Sequence, residues 1–267
     1  MRQGNIYLLT QGDDLGSSRS ANQAIIEAYE QGVMRNTSFM TACEHAADAA
    51  KLLAAQSSGL CIGLHCTVNA EWDRVRWKPV LPASEVPSLV REDGSFHRSP
   101  VHMRDAGFKL EELMAELQAQ LDYARQLGVQ PVYADTHMRF EWVDERIAPT
   151  FDAWCEREGL ISYRSYYREL PPAPADVSRR DPVEQFLSRL DAAEPGLYGF
   201  LAHPAYDDEE TRCLGNEQVS GSEVAESREW ERRLFTDPRV LAYFEENSVV
   251  PVTYLEAAQL VLEKHRF

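Results

Sequence analysis

Seven short apolar runs, at residues 5–10, 36–41, 60–64, 131–135, 160–163, 196–201 and 249–253, alternate along the chain with segments whose apolar residues recur at helical spacing. Runs this short, rich in branched and aromatic residues, read as strands, and strands that alternate with helices pair in parallel with the helices outside the sheet. Asn5-Ile-Tyr-Leu-Leu-Thr10 and the segment 20–31, closed by Gly32, form the first such unit. Asn36-Thr-Ser-Phe-Met-Thr41 and the alanine-rich 44–55 form the second, and Leu60–Leu64 follows a turn at Ser57-Ser58-Gly59. The stripe Leu110, Leu113, Leu117, Leu121 and Ala124 predicts a core-facing helix over 110–127. Helices at 145–157, 182–190, 223–233 and 238–246 and one from Leu255 complete the alternation. The expected fold is α/β: a (β/α) barrel of about seven parallel strands, closed or slightly incomplete, with residues 1–267 as a single domain.

The alternation pauses at about 66–107. This stretch holds Pro79, Pro82, Pro87 and Pro100, the turn Glu92-Asp93-Gly94, and the aromatics Trp72, Trp77 and Phe96. A loop of that length inside a barrel either carries small elements of its own or closes over a ligand, and a substrate-covering insertion is expected.

Composition excludes several partners. With 43 acidic against 27 basic residues, the net charge of −16 repels nucleic acid and anionic membranes, so neither is expected as a partner. No apolar run approaches the ~20 residues of a membrane span, and a soluble cytoplasmic protein is expected. Cys43, Cys61, Cys66, Cys155 and Cys213 are odd in number, scattered and never in a Cys-x-x-Cys pair, which argues against a disulfide framework and a thiolate zinc site. Cys66 adjoins His65, but neighbours on a strand face opposite ways, so it is assigned to packing.

The chemistry sits at strand ends. Gly12-Asp13-Asp14-Leu15-Gly16, Gly63-Leu64-His65, Asp135-Thr136-His137 and Ala202-His203-Pro204 each follow an apolar run, and the carboxyl ends of parallel strands open onto one face. Adjacent carboxylates diverge, so one of Asp13 and Asp14 can bind a metal while the other serves as a base; a helix-capping role is the competing reading. His65 and His137 with one carboxylate leave coordination positions open, as metal-assisted hydrolysis requires. Asp135, two residues before His137, faces the same side and can orient a ligand. His203, held by Pro204, suits a general acid, against the alternative of a capping or core histidine. Trp72, Trp77, Tyr163, Tyr166, Tyr167 and Tyr206 lie in loops or strand ends where aromatic faces suit sugar rings, though core packing explains each equally well.

Taken in order, these residues resemble the YdjC-like carbohydrate deacetylase family, the ChbG/HpnK type. The resemblance runs over nearly the whole chain: Asp13-Asp14-Leu15-Gly16 with Asn22 and Ile26, Gly32-Val33 before Thr37-Ser38-Phe39-Met40, and Gly63-Leu64-His65. It continues through Pro87-Ser88-Leu89-Val90, Asp93-Gly94-Ser95-Phe96, Asp135-Thr136-His137, His203-Pro204, and Arg228 with Glu231 before Leu234. It implies a deformed (β/α) barrel that removes an N-acetyl group from an amino sugar or short oligosaccharide. It implies metal ligands Asp14, His65 and His137, base Asp13 and acid His203; Asp135, Trp72, Arg228 and Glu231 are further expected to touch substrate or support the ligands from behind. One divalent ion is expected, magnesium or zinc before manganese or cobalt, with a small carbohydrate as partner and a homodimer as assembly. Two departures from the family pattern stand out: Met138-Arg139-Phe140 where a His-x-His pattern is usual, and Leu15 in place of a phenylalanine. The alternatives are another barrel metalloenzyme, a phosphoesterase or sugar isomerase, and a non-catalytic sugar-binding protein.

Overall fold

The first strand carries the architecture because three others pair with it. In the computed structural model, which describes residues 4–55, 59–175 and 181–264, β1 (Ile6–Leu15) lies parallel to β2 (Asn36–Phe39), β6 (Gly196–Ala202) and β7 (Val249–Val252). On one edge β7 takes Ile6 to Leu9 and β2 takes Gln11 to Leu15, while β6 runs along the other. From β2 the sheet continues through β3 (Cys61–Cys66) and β4 (Tyr133–Thr136) to β5 (Ile161–Ser162). No ladder joins β5 to β6 among the described residues; a single parallel bridge, Glu169↔Gly199, spans that gap. The result is the expected incomplete barrel of seven parallel strands.

The helices are α1 (Arg19–Gln31), α2 (Ala46–Ala55), α3 (Pro100–Asp105), α4 (Leu110–Gln126), α5 (Ile147–Glu158), α6 (Pro182–Ala192), α7 (Gly221–Thr236), α8 (Pro238–Glu246) and α9 (Tyr254–Lys264). The expected elements appear with shifted ends. β1 extends five residues beyond the apolar run, so Asp13 and Asp14 lie within the strand rather than in a turn after it. β5 shrinks to two residues. The Ser57-Ser58 part of the expected turn lies outside the described residues. None of the described helices is long and apolar enough to cross a membrane.

The insertion is packed rather than loose. Trp72, Trp77, Val86, Leu89 and Phe96 are buried in the main core cluster, and the segment folds a 3-10 turn at Pro87–Leu89 and helix α3. What holds it is a second stripe on α4 that the apolar periodicity concealed. Glu112, Glu116 and Gln120, four residues apart, share one face and are buried. Glu116 accepts the Val80 and Leu81 N–H groups at 2.8 and 3.0 Å, Glu112 accepts that of Ser88 at 2.8 Å, and the Gln120 amide exchanges two bonds with the Thr67 backbone at 2.9 and 2.6 Å. Loop N–H groups with no ladder to join are thereby satisfied, and a buried hydrogen bond of this kind contributes roughly 0.5–1.5 kcal/mol.

Candidate active site

A bulge near the end of β1 places both aspartates at one point. Gly12 pairs with Thr37 and Leu15 with Phe39, so three steps along β1 oppose two along β2. Asp14 occupies the left-handed region at φ 68°, and Gly16 follows at φ 103°, where a Cβ would stand 2.6 Å from the Met40 carbonyl oxygen. The adjacent carboxylates therefore do not simply diverge: Asp13 Oδ2 lies 4.0 Å and Asp14 Oδ1 3.5 Å from the same atom, His65 Nε2. Neither caps α1, a role taken by the Ser18 hydroxyl, which accepts from the Ala21 N–H.

His65 and Asp135 are direct partners in the β3/β4 ladder, which sets their side chains beside each other on one face. His65 Nδ1 meets Asp135 Oδ1 at 2.7 Å, and Asp135 Oδ2 accepts from Gln11 Nε2 and Ser38 Oγ at 2.5 Å each. Gln11 also donates to Asp13 Oδ1 at 2.6 Å and accepts from the Tyr254 hydroxyl at 2.9 Å. His137, just past β4, turns Nδ1 toward Asp14 Oδ1 at 3.6 Å and His65 Nε2 at 3.3 Å. Its Nε2 meets Glu71 Oε2 at 3.0 Å.

Helix α7 closes the other side. Arg228 Nη2 donates to Asp14 Oδ2 at 2.8 Å. One turn further along the same face, Glu231 accepts the His203 backbone N–H and lies 3.5 Å from His203 Nδ1. The structure thus brings together Asp13, Asp14, His65, His137, His203, Arg228, Glu231 and Trp72 around one cavity of about 610 Å³, with Asp135 directly behind His65. Trp77 is buried with its ring edge-on to His137, 5.2 Å between centroids. Tyr163 and Tyr167 line a separate cavity with Trp142 and Arg139. Met138 and Arg139, directly after His137, both adopt left-handed backbone, at φ 57° and 49°, and line the main cavity.

Charge and burial set the protonation of the site. Burial raises the Asp13 carboxyl, reinforced by Asp135, to about 6 despite the nearby histidines. Burial would also raise Asp14, but Arg228 and the histidines around it hold it well below the usual carboxylate range. His65 is pushed up to about 10, because Asp135, Asp13 and Asp14 outweigh the burial that would lower it. His203 is likewise raised, Glu231 and Asp14 overcoming desolvation. The Cys66 thiol is driven well above its ordinary value by burial, leaving it no nucleophile.

The donor set fits a divalent cation. Asp14 Oδ1 is buried without a hydrogen-bond partner, and with His65 Nε2 and His137 Nδ1 it forms a triangle with edges of 3.3, 3.5 and 3.6 Å. Ligands about 2.0–2.1 Å from a tetrahedral zinc stand about 3.3–3.4 Å apart, so these atoms need to move little to share one ion. Asp13, Asp14 and Asp135 bring three carboxylates to a buried cluster whose cationic partners are Arg228 beside Asp14 and the raised His65 beside Asp135, so a divalent ion would stand in for the proton on His65 Nε2. Such a cluster favours an added positive charge.

Two site residues escaped the sequence reading: Gln11, which bonds Asp13 and Asp135 from within β1, and Glu71. Glu71 lies in the insertion, six residues from His65 and far from His137 in sequence. No strand end or periodicity marks it.

Comparison with known proteins places the chain in a family. The family model described as YdjC-like protein matches residues 7–246. The chain is 28% identical to a carbohydrate deacetylase of Thermoanaerobacter pseudethanolicus over 93% of this chain and 98% of that one. It is 30% identical to a chitooligosaccharide deacetylase of Serratia marcescens over 74% and 72% of the two chains. A crystal structure from Enterococcus faecalis, described provisionally as a cellobiose-phosphate cleavage protein, superposes with a TM-score of 0.79 at 22% identity, covering 95% of this chain and 99% of the other; at that identity it supports the fold alone.

Proposed function

The chain belongs to the YdjC-like family, and from that membership and the geometry of the cavity we propose that it is a metal-dependent carbohydrate deacetylase, hydrolysing the N-acetyl amide of an amino sugar or short oligosaccharide to acetate and a free amine. The observation that carries the reading is the convergence of Asp14 Oδ1, His65 Nε2 and His137 Nδ1 on one point of a cavity that also exposes a raised carboxylate, Asp13, and a raised imidazole, His203.

Asp14, His65 and His137 would hold one divalent ion, whose chemistry when bound is to polarise the amide carbonyl and acidify a water. Asp13 is the base. With its pKa near 6 it is largely ionised at neutral pH yet keeps an abstracted proton better than an ordinary carboxylate. Gln11, donating to Asp13 Oδ1, leaves Oδ2 to take that proton. His203 is the acid: Glu231 beside Nδ1 favours its protonated form and leaves Nε2 to deliver a proton to the departing amine. Arg228 anchors Asp14 through Oδ2, which directs Oδ1 to the ligand point. Trp72 supplies an apolar wall against which a sugar ring can lie.

Of the cavity's two arginines, Arg228 pairs with Asp14 through Nη2 and has only its buried Nη1 without a partner, and Arg139 reaches an exposed Glu169. A phosphoesterase would need a stronger cationic clamp than this. The test is acetate release from a panel of N-acetylated mono- and oligosaccharides, after chelator treatment and after restoring zinc, magnesium, manganese and cobalt in turn. Release that vanishes with chelator and returns with one ion is the expected result and names the ion. A metal-loaded protein that releases no acetate from any member would overturn it.

A further inference from the structure

We propose that Glu71, delivered by the insertion, is a positioning residue for His137: it holds the ring proton on Nε2 so that Nδ1 faces Asp14 and His65 as a bare lone pair. This rests on the metal-site reading given above.

A neutral imidazole carries one ring proton, and its location follows from what each nitrogen meets. His137 Nδ1 looks toward Asp14 Oδ1 at 3.6 Å and His65 Nε2 at 3.3 Å. Across the ring, Nε2 meets Glu71 Oε2 at 3.0 Å, an acceptor with no proton of its own to give when ionised. The proton therefore belongs on Nε2, donated to Glu71. His65 shows the opposite arrangement: its Nδ1 bonds Asp135, and its Nε2 faces the ligand point. The two rings thus offer different nitrogens, and a separate carboxylate selects each. Glu71 lies on the far side of the His137 ring from Asp14, so it acts through the histidine and not as a further ligand.

The chain around Glu71 is fixed on both sides. The Ala70 N–H donates to the His97 carbonyl and the Asp73 N–H to the Gly215 carbonyl, both at 2.9 Å, and Asn216 Nδ2 reaches the Glu71 carbonyl at 3.4 Å. The Glu71 side chain is only 13% exposed, which keeps water from competing for the bond. Trp77, also from the insertion, packs edge-on against the same ring and limits its rotation. Orienting His137 is thus a function of the insertion distinct from covering a substrate.

The test uses the full chain and cobalt(II) alone as probe. Its affinity is measured by calorimetry, and the ring tautomer of His137 is read from long-range proton–nitrogen NMR spectra of the metal-free protein. Glu71→Leu, which fills the space without an acceptor, is expected to lower cobalt affinity about 10–100-fold and to give His137 a mixture of tautomers. Glu71→Gln, whose amide oxygen still accepts from Nε2–H, should keep the wild-type tautomer and recover most of the affinity. Wild-type affinity and an unchanged tautomer in Glu71→Leu would overturn the assignment, as would Glu71→Gln proving as impaired as Glu71→Leu. Should Glu71→Leu fail to fold, Glu71→Ala takes its place in the same comparison. A wild-type chain that binds no divalent ion would overturn the metal reading, and this assignment with it; wild-type binding that Glu71→Leu leaves intact would overturn this assignment alone.

Discussion

Two of the site's three histidines, His65 and His137, are oriented by carboxylates from unlike parts of the molecule. Asp135 faces His65 across a parallel ladder, one strand from the next, and is itself held by Gln11 and Ser38 from β1 and β2. Glu71 reaches His137 from the insertion, which is fastened to the barrel by acceptors on α4. The sheet side cannot shift without breaking ladder pairs and a buried polar network. The insertion side has no ladder pairs at stake and rests on the α4 acceptors and on side chains packed into the core, so it can be re-tuned with the strand pairing intact. Shared chemistry with variable substrate would be built in this way: a fixed pole in the sheet and an adjustable one in a loop.

The largest effects should come from the sheet side. His65→Ala is expected to abolish both divalent-ion binding and acetate release, read by calorimetry and product assay; an unchanged metal stoichiometry would remove His65 as a ligand. Asp13→Asn should leave the ion bound but lower turnover about 10²–10⁴-fold, and near wild-type turnover would remove Asp13 as the base. Asp135→Ala strands the Gln11, Ser38 and His65 donors in a buried site and should cost about 3 kcal/mol of stability in urea unfolding. A loss below about 1 kcal/mol would show that the sheet side is no more rigid than the insertion.

The insertion side should show its dependence on α4 through pH. Burial pushes the Glu116 carboxyl from its ordinary 4.5 up to about 7, even though Gln120 and the Val80 and Leu81 N–H groups donate to it. Between those values the folded chain keeps a proton that the unfolded chain has released, so this group's contribution to stability falls as pH rises through the window and is flat above it. The expected loss is about 3 kcal/mol between pH 4.5 and 7. Glu116→Gln should remove that slope in urea unfolding measured across the window, and an identical slope in the variant would refute the assignment. The smallest effect is expected at Met138, where Met138→Gly relieves a left-handed backbone and should raise stability by no more than about 1 kcal/mol.

Much of the fold was legible because burial writes itself into periodicity. The seven apolar runs became the seven strands, and Leu113, Leu117, Leu121 and Ala124 became the buried face of α4. The strand-end residues Asp13, Asp14, His65, His137 and His203 lie around one cavity, since parallel strands deliver their carboxyl ends to the same face. Legibility failed where polar groups are buried for polar reasons. Glu112, Glu116 and Gln120 look like a solvated helix face, and only the backbone packed against them shows otherwise. The lengthened β1 is a similar case: Asp13 and Asp14 lack strand-forming propensity, but β2 and the bulge hold them in the sheet.

By itself, then, the sequence determined the βα alternation, the parallel sheet and the set of titratable residues at strand ends, because these depend on local patterns of apolar and polar side chains. Tertiary structure alone decided the β3/β4 register that sets Asp135 beside His65, the bulge that turns Asp13 and Asp14 toward one imidazole, and the reach of Glu71 to His137. Each is a contact between residues distant along the chain or a backbone angle imposed by a neighbouring strand. Such relations leave no local period to read, and the free energy that selects them exists only once the strands have paired.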